Sequence, residues 1–118
     1  MKHNLGDTNR IIHILEAINN IEVFLENVAL DSFVNNIEKR AAIERMLEII
    51  GEATNHISEE VLYNNEYSSS WRKIIATRNI IAHEYFRVDY DVLFEIATKE
   101  IIPLKKDIEI ILKKLENK

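Results

Sequence analysis

The chain predicts an all-α fold, an up-and-down bundle of four to five helices, on three observations. Aliphatic residues recur three or four positions apart through most of its 118 residues, the spacing that gathers them on one side of a helix. Only two glycines and one proline are present, too few for a hairpin-rich fold. No stretch shows the apolar-polar alternation of a half-buried strand, and no internal repeat is visible.

Asp7 or Thr8 can cap the first helix, which then carries Ile11, Ile14, Leu15, Ile18, Ile21, Leu25 and Val28 as one stripe. The run "DSFVNN", residues 31–36, breaks that stripe, and Asn35 with Glu38 forms a capping pair for a second helix. Ile43, Leu47, Ile50, Ile57 and Val61 mark its buried side, with Ala42, Met46, Ile49 and Ala53 beside them. So wide an apolar face suits a helix with more than one neighbour. Gly51 within it costs about 1 kcal/mol against alanine, which a close helix crossing can justify. "YNNEYSSS", residues 63–70, reads as a loop, and Ser69 or Ser70 can cap a third helix starting near Trp71. After "FRVDYD" turns the chain, Asp89 can cap the last helix, built on Leu93, Ile96, Ile101, Leu104, Ile108, Ile111, Leu112 and Leu115. Pro103 removes a backbone donor there, so this helix is expected to be kinked or split at that residue. Lys113, Lys114 and Lys118 complement its C-terminal dipole.

The length fits one domain, residues 1–118, and 47% hydrophobic residues are ample for a core. Cysteine is absent, which excludes a disulfide framework and a thiolate nucleophile. "MKHNLGDTNR" has no apolar run behind its charges, and no stretch approaches the roughly 20 apolar residues of a membrane span, so a cytoplasmic location with no membrane role is expected. The formal net charge is -5, so any contact with nucleic acid must be local rather than a matter of bulk electrostatics. In so small a bundle, the broad apolar faces of the first two helices invite a second copy, and a homodimer is expected.

"RNIIAHEYF", residues 78–86, places Arg78, Asn79, His83 and Tyr85 in an otherwise apolar run. Asn79 and His83 share a helix face, while Arg78 and His83 lie about 140° apart, a gap that a long arginine partly closes. Metal-independent RNA cleavage needs a base for the 2′-hydroxyl, an acid for the leaving oxygen and a cation for the charge on phosphorus. A histidine can serve either proton-transfer role near neutral pH, and Arg78 offers a fixed fork for phosphate. One histidine does one job, which a dimer pairing two such groups would resolve. By residue type alone the cluster is more often structural, with Arg78 paired to Glu52 or Glu44 and His83 holding a buried tyrosine. Tyr85, Phe86 and Trp71 are likewise more often packing residues.

Other candidates are weaker. His3, His13 and His56 are scattered, and Glu52 with His56 makes only half of a metal site, so no metal is expected. Glu59 and Glu60 read as solvated surface, and there is no phosphate-cradling glycine loop, so no cofactor is implied. Arg72, Lys73, Arg78 and Arg87 gather around the third helix as the positive patch of an acidic chain, available to contact RNA.

"RNIIAHEY" has the Arg-x4-His-x-Tyr pattern of the HepT-like branch of the HEPN superfamily, which the chain resembles over residues 7–115. "AAIERMLEIIGEA", residues 41–53, is similar to that family's second helix. "WRKIIATRNIIAHEYFRVDYDVLFEIATKEIIPLKKDIE", residues 71–109, is similar to its third and fourth. The resemblance implies a single HEPN-like helical bundle that dimerises with its two motifs facing one cleft. It implies a metal-independent ribonuclease, the toxin of a toxin-antitoxin pair, with transfer RNA as one substrate class. Arg78 and His83 become the catalytic pair, Asn79 the polar residue beside them, and Tyr85 a regulatory tyrosine. The implied partner is a minimal nucleotidyltransferase antitoxin of the MNT type that transfers AMP from ATP to that tyrosine. The alternative is a non-catalytic helical module that binds the nucleotidyltransferase, with Arg78 and His83 as scaffold contacts; a structural dimer with no enzymatic role is a further one.

Overall fold

A computed structural model describes residues 2–57 and 89–117; the sequence motif at 78–86 lies outside these, as does Val61. Every regular element among the described residues is helical. They are α1 (Lys2–Phe24), α2 (Leu30–Val34), α3 (Ile37–Asn55), α4 (Tyr90–Glu95), a π-helical turn (Ile96–Glu100) and α5 (Ile101–Glu116). None is long and apolar enough to cross a membrane.

The stripe on α1 is the centre of the core. Ile11, Ile14, Ile18 and Ile21 are fully buried, with Ala17 filling the gap between them. Leu15 and Val28, from the same periodic pattern, pack at the margin. α3 answers with Ile43, Leu47 and Ile50, and α5 with Leu104, Ile108 and Ile111. Both long helices pack on α1. The Lys39 ammonium donates to the Phe24 carbonyl at 2.9 Å, and Asn20 Nδ2 lies 3.8 Å from Met46 Sδ, so α1 and α3 run antiparallel. The lysine also puts a cation on the C-terminal carbonyls of α1, where the helix dipole favours it. The end of α1 meets the start of α5 through Glu22 Oε1 and Lys105 Nζ, 2.9 Å apart.

Local boundaries differ from the sequence expectation at four places. α1 begins at Lys2, upstream of Asp7 and Thr8, and Asp7 is itself buried within it. The stretch read as a break contains α2, whose Phe33 is fully buried and meets the Phe94 ring at 5.3 Å between centroids. Asn27, in the left-handed region at φ 59°, reverses the chain between α1 and α2, a conformation asparagine tolerates better than most residues. The cap of α3 is Asn36 rather than Asn35: its side chain accepts from the Lys39 N–H at 3.0 Å, while Asn35 Nδ2 donates back to the Asp31 carbonyl. α3 stops at Asn55, and Ile57 reaches the core from the tightened turn beyond it.

The interruption expected at Pro103 lies just upstream. Ile96–Glu100 forms a wide turn in which the Ile101 N–H reaches the Ile96 carbonyl, and Pro103 then sits in the first turn of α5. Pro103 carries no backbone N–H, so it cannot bond back into the preceding turn, and the wide turn sits where that ladder is interrupted. The ladder is reset by one residue before the ring arrives, and the helical path continues through α4, the π turn and α5. Asp89 caps α4 as its position in the sequence suggests, accepting from the Asp91 and Val92 N–H groups at 3.0 and 3.2 Å.

Candidate functional site

Arg78, Asn79, His83 and Tyr85, with Arg72, Lys73 and Arg87, all lie outside the described residues. The structure defines instead the place to which the motif is tethered. Covalent geometry keeps Tyr85 within about 18 Å, and His83 within about 25 Å, of the Tyr90 Cα. The neighbourhood of Tyr90, at the contact of α3 and α4, is therefore the described surface closest along the chain to the motif.

That neighbourhood holds a charged group absent from the sequence reading. Arg40, in the first turns of α3, lies over the Tyr90 ring with its guanidinium carbon 4.4 Å from the ring centroid. The ring belongs to the margin of the core, so it presents a fixed face to the cation. Arg40 Nε is sealed from solvent and has no hydrogen-bond partner. One turn along α3, burial raises the Glu44 carboxyl above its ordinary value; Glu48 adds to the shift and Arg40 opposes it. Nothing local in the sequence signals the Arg40–Tyr90 contact. Arg40 and Glu44 read as a solvated i, i+4 pair, and the aromatic partner comes from a distant segment.

His13 and His56 have other surroundings. His13 is exposed on α1 and lines a shallow cleft of about 300 Å³ with Glu16, Asn20, Met46 and Ile49. His56, just past the end of α3, has Nε2 4.0 Å from Glu52 Oε2, both side chains largely in solvent. Among the described residues no three His, Asp or Glu side chains converge as metal ligands would. Asp107 on α5 is buried, and its Oδ2, like Arg40 Nε, has no hydrogen-bond partner among the described residues.

The chain matches the family model described as "Ribonuclease HepT-like" over residues 14–111, which includes every motif position. A protein of Methanocaldococcus jannaschii named "Putative RNase" is 34% identical over 99 residues, covering 83% of this chain and 89% of that relative. One of the same name from Caldanaerobacter subterraneus is 33% identical, covering 86% of this chain and 90% of its own length. The "Probable ribonuclease HepT" of Thermococcus cleftensis is 33% identical over 81% of this chain and 86% of its own. No solved structure gives a significant match. A helical chain, carrying Arg-x4-His-x-Tyr and matched along most of its length by that model and these relatives, belongs to the ribonuclease HepT-like family.

Proposed function

We propose that this protein is a metal-independent endoribonuclease, the toxin of a toxin-antitoxin pair, acting in the cytoplasm on transfer RNA. The observation that carries the reading is the Arg78-x4-His83-x-Tyr85 motif inside a chain that the HepT-like model matches from residue 14 to 111.

The chemistry follows from residue type. Attack of the 2′-oxygen on the adjacent phosphorus forms one P–O bond as the bond to the 5′-oxygen breaks, giving a 2′,3′-cyclic phosphate and a 5′-hydroxyl. One proton leaves the 2′-hydroxyl and one arrives at the 5′-oxygen. Histidine is the side chain that can take or give a proton near neutral pH, and His83 serves one of these transfers. A homodimer that places two copies at one cleft supplies both. Arg78 stabilises the charge growing on the phosphorane oxygens, and Asn79 orients the imidazole or the phosphate. Arg72, Lys73 and Arg87 extend the positive surface along the RNA backbone. AMP transfer to Tyr85 by a nucleotidyltransferase antitoxin adds a negative phosphate and a base beside the cleft, opposing RNA by charge and by volume.

Labelled tRNA incubated with the protein and EDTA tests the reading. Cleavage by the wild type should fall by about 100-fold or more in His83→Ala, the scale of a lost acid-base group. Tyr85→Phe should keep cleaving while taking up no label from ATP in the presence of the nucleotidyltransferase. Equal inertness of wild type and His83→Ala, with the nucleotidyltransferase still bound, would replace the nuclease by a non-catalytic binding module.

A further inference from the structure

We propose that Arg40, held on the Tyr90 ring, is a phosphate-binding residue that grips the RNA backbone beside the motif; this rests on the nuclease reading above. Three observations converge on it. The guanidinium is oriented: the ring of Tyr90 lies 4.4 Å from its carbon, which fixes the plane of the fork without engaging a hydrogen bond. It is also uncommitted. Glu44, one turn along α3, feels the charge of Arg40, yet the two are joined by no hydrogen bond or ion pair. Nε is sealed and has no acceptor among the described residues, so whatever the fork binds must meet its Nη edge. Finally, it is near the chemistry. Chain length keeps Tyr90 within about 18 Å of Tyr85 and about 25 Å of His83.

An oriented arginine with no acceptor among the described residues is suited to a tetrahedral oxyanion, which two Nη donors can meet together. In a chain of net charge -5, one such fixed cation near the reacting strand contributes more than a diffuse field.

The test uses the full-length protein in a His83→Ala background, so that RNA is bound and not consumed, with a fluorescent single-stranded RNA oligonucleotide as the probe. Arg40→Gln should weaken binding about tenfold and reduce the salt dependence by about one counterion. Arg40→Lys, which keeps charge and loses the fork, should recover only part of the loss. Lys106→Gln, on the exposed side of α5, should bind like its parent. Melting curves establish that each variant is folded. Unchanged affinity and salt slope in a folded Arg40→Gln protein would overturn the proposal while leaving the nuclease reading in place. Loss of binding to AMP but not to the oligonucleotide would overturn it in favour of a nucleotide site. RNA binding that depends on Arg40 in a protein that never cleaves would uphold the phosphate contact and sink the nuclease. No RNA binding by the parent would overturn the proposal, with wild-type cleavage of tRNA deciding the nuclease separately.

Discussion

Where α1 meets α3 and α5, the contacts are aliphatic and closed: Ile14, Ile18, Ile21, Leu47, Leu104 and Ile108 keep no measurable exposure. Near the start of α3, Arg40 rests on Tyr90 with a nitrogen unpartnered among the described residues, and partial burial raises the Glu44 carboxyl above its ordinary value. Each of those aliphatic side chains adds to stability by its burial. The second region tolerates a sealed donor and a disfavoured carboxylate, costs that a fold accepts most readily where a surface has work beyond packing. The two ends of one helix thus serve different purposes, and substitutions can separate them.

The largest effect belongs to the aliphatic region and its aromatic plug. Phe33→Ala empties the space between α3 and α4 and should cost about 4 kcal/mol in denaturant unfolding. Ile18→Ala, in the middle of α1, should cost about 3 kcal/mol by the same measurement. A Phe33→Ala protein as stable as the wild type would mean that α2 is ornamental and the contrast between the regions is drawn in the wrong place. Asp89→Ala removes the cap of the helix that carries Tyr90 and should cost about 1 kcal/mol. Its further value is diagnostic: if α4 frays, Arg40 loses its platform, and RNA affinity should fall alongside stability.

The charged region should show itself in pH rather than in overall stability. Because the folded state raises the Glu44 value, the native protein holds that proton more tightly than the unfolded chain does. Stability therefore falls as pH rises from the ordinary carboxylate value through the raised one, and the penalty is absent below both. Glu44→Gln should flatten this part of the pH–stability profile and leave neutral-pH stability equal or slightly higher. An unchanged profile would show that Glu44 is not strained. Smallest of all is the Lys105–Glu22 pair, partly in solvent, whose loss in Lys105→Met should cost no more than about 0.5 kcal/mol and less in high salt.

The motif residues were legible before any coordinates, since Arg78, His83 and Tyr85 stand out by chemistry in an apolar run. Arg40 was not, because a lone arginine four residues before a glutamate looks like any solvated helix face. What marks it is a ring contributed from far along the chain, and no local pattern carries that information.

The helical class and the buried stripes of α1, α3 and α5 were determined by the sequence alone. A period of 3.6 residues leaves spaced isoleucines and leucines one side to occupy, whatever the neighbours are. The tertiary structure decided where those helices start, stop and shift. α1 extends upstream of its apparent cap, Asn36 takes the capping role from Asn35, and a π turn at Ile96–Glu100 absorbs the disturbance expected at Pro103. Each of these is a choice between local conformations of nearly equal energy. Contacts from residues remote in sequence tip such a choice, as when Phe33 meets Phe94 and Tyr90 receives Arg40.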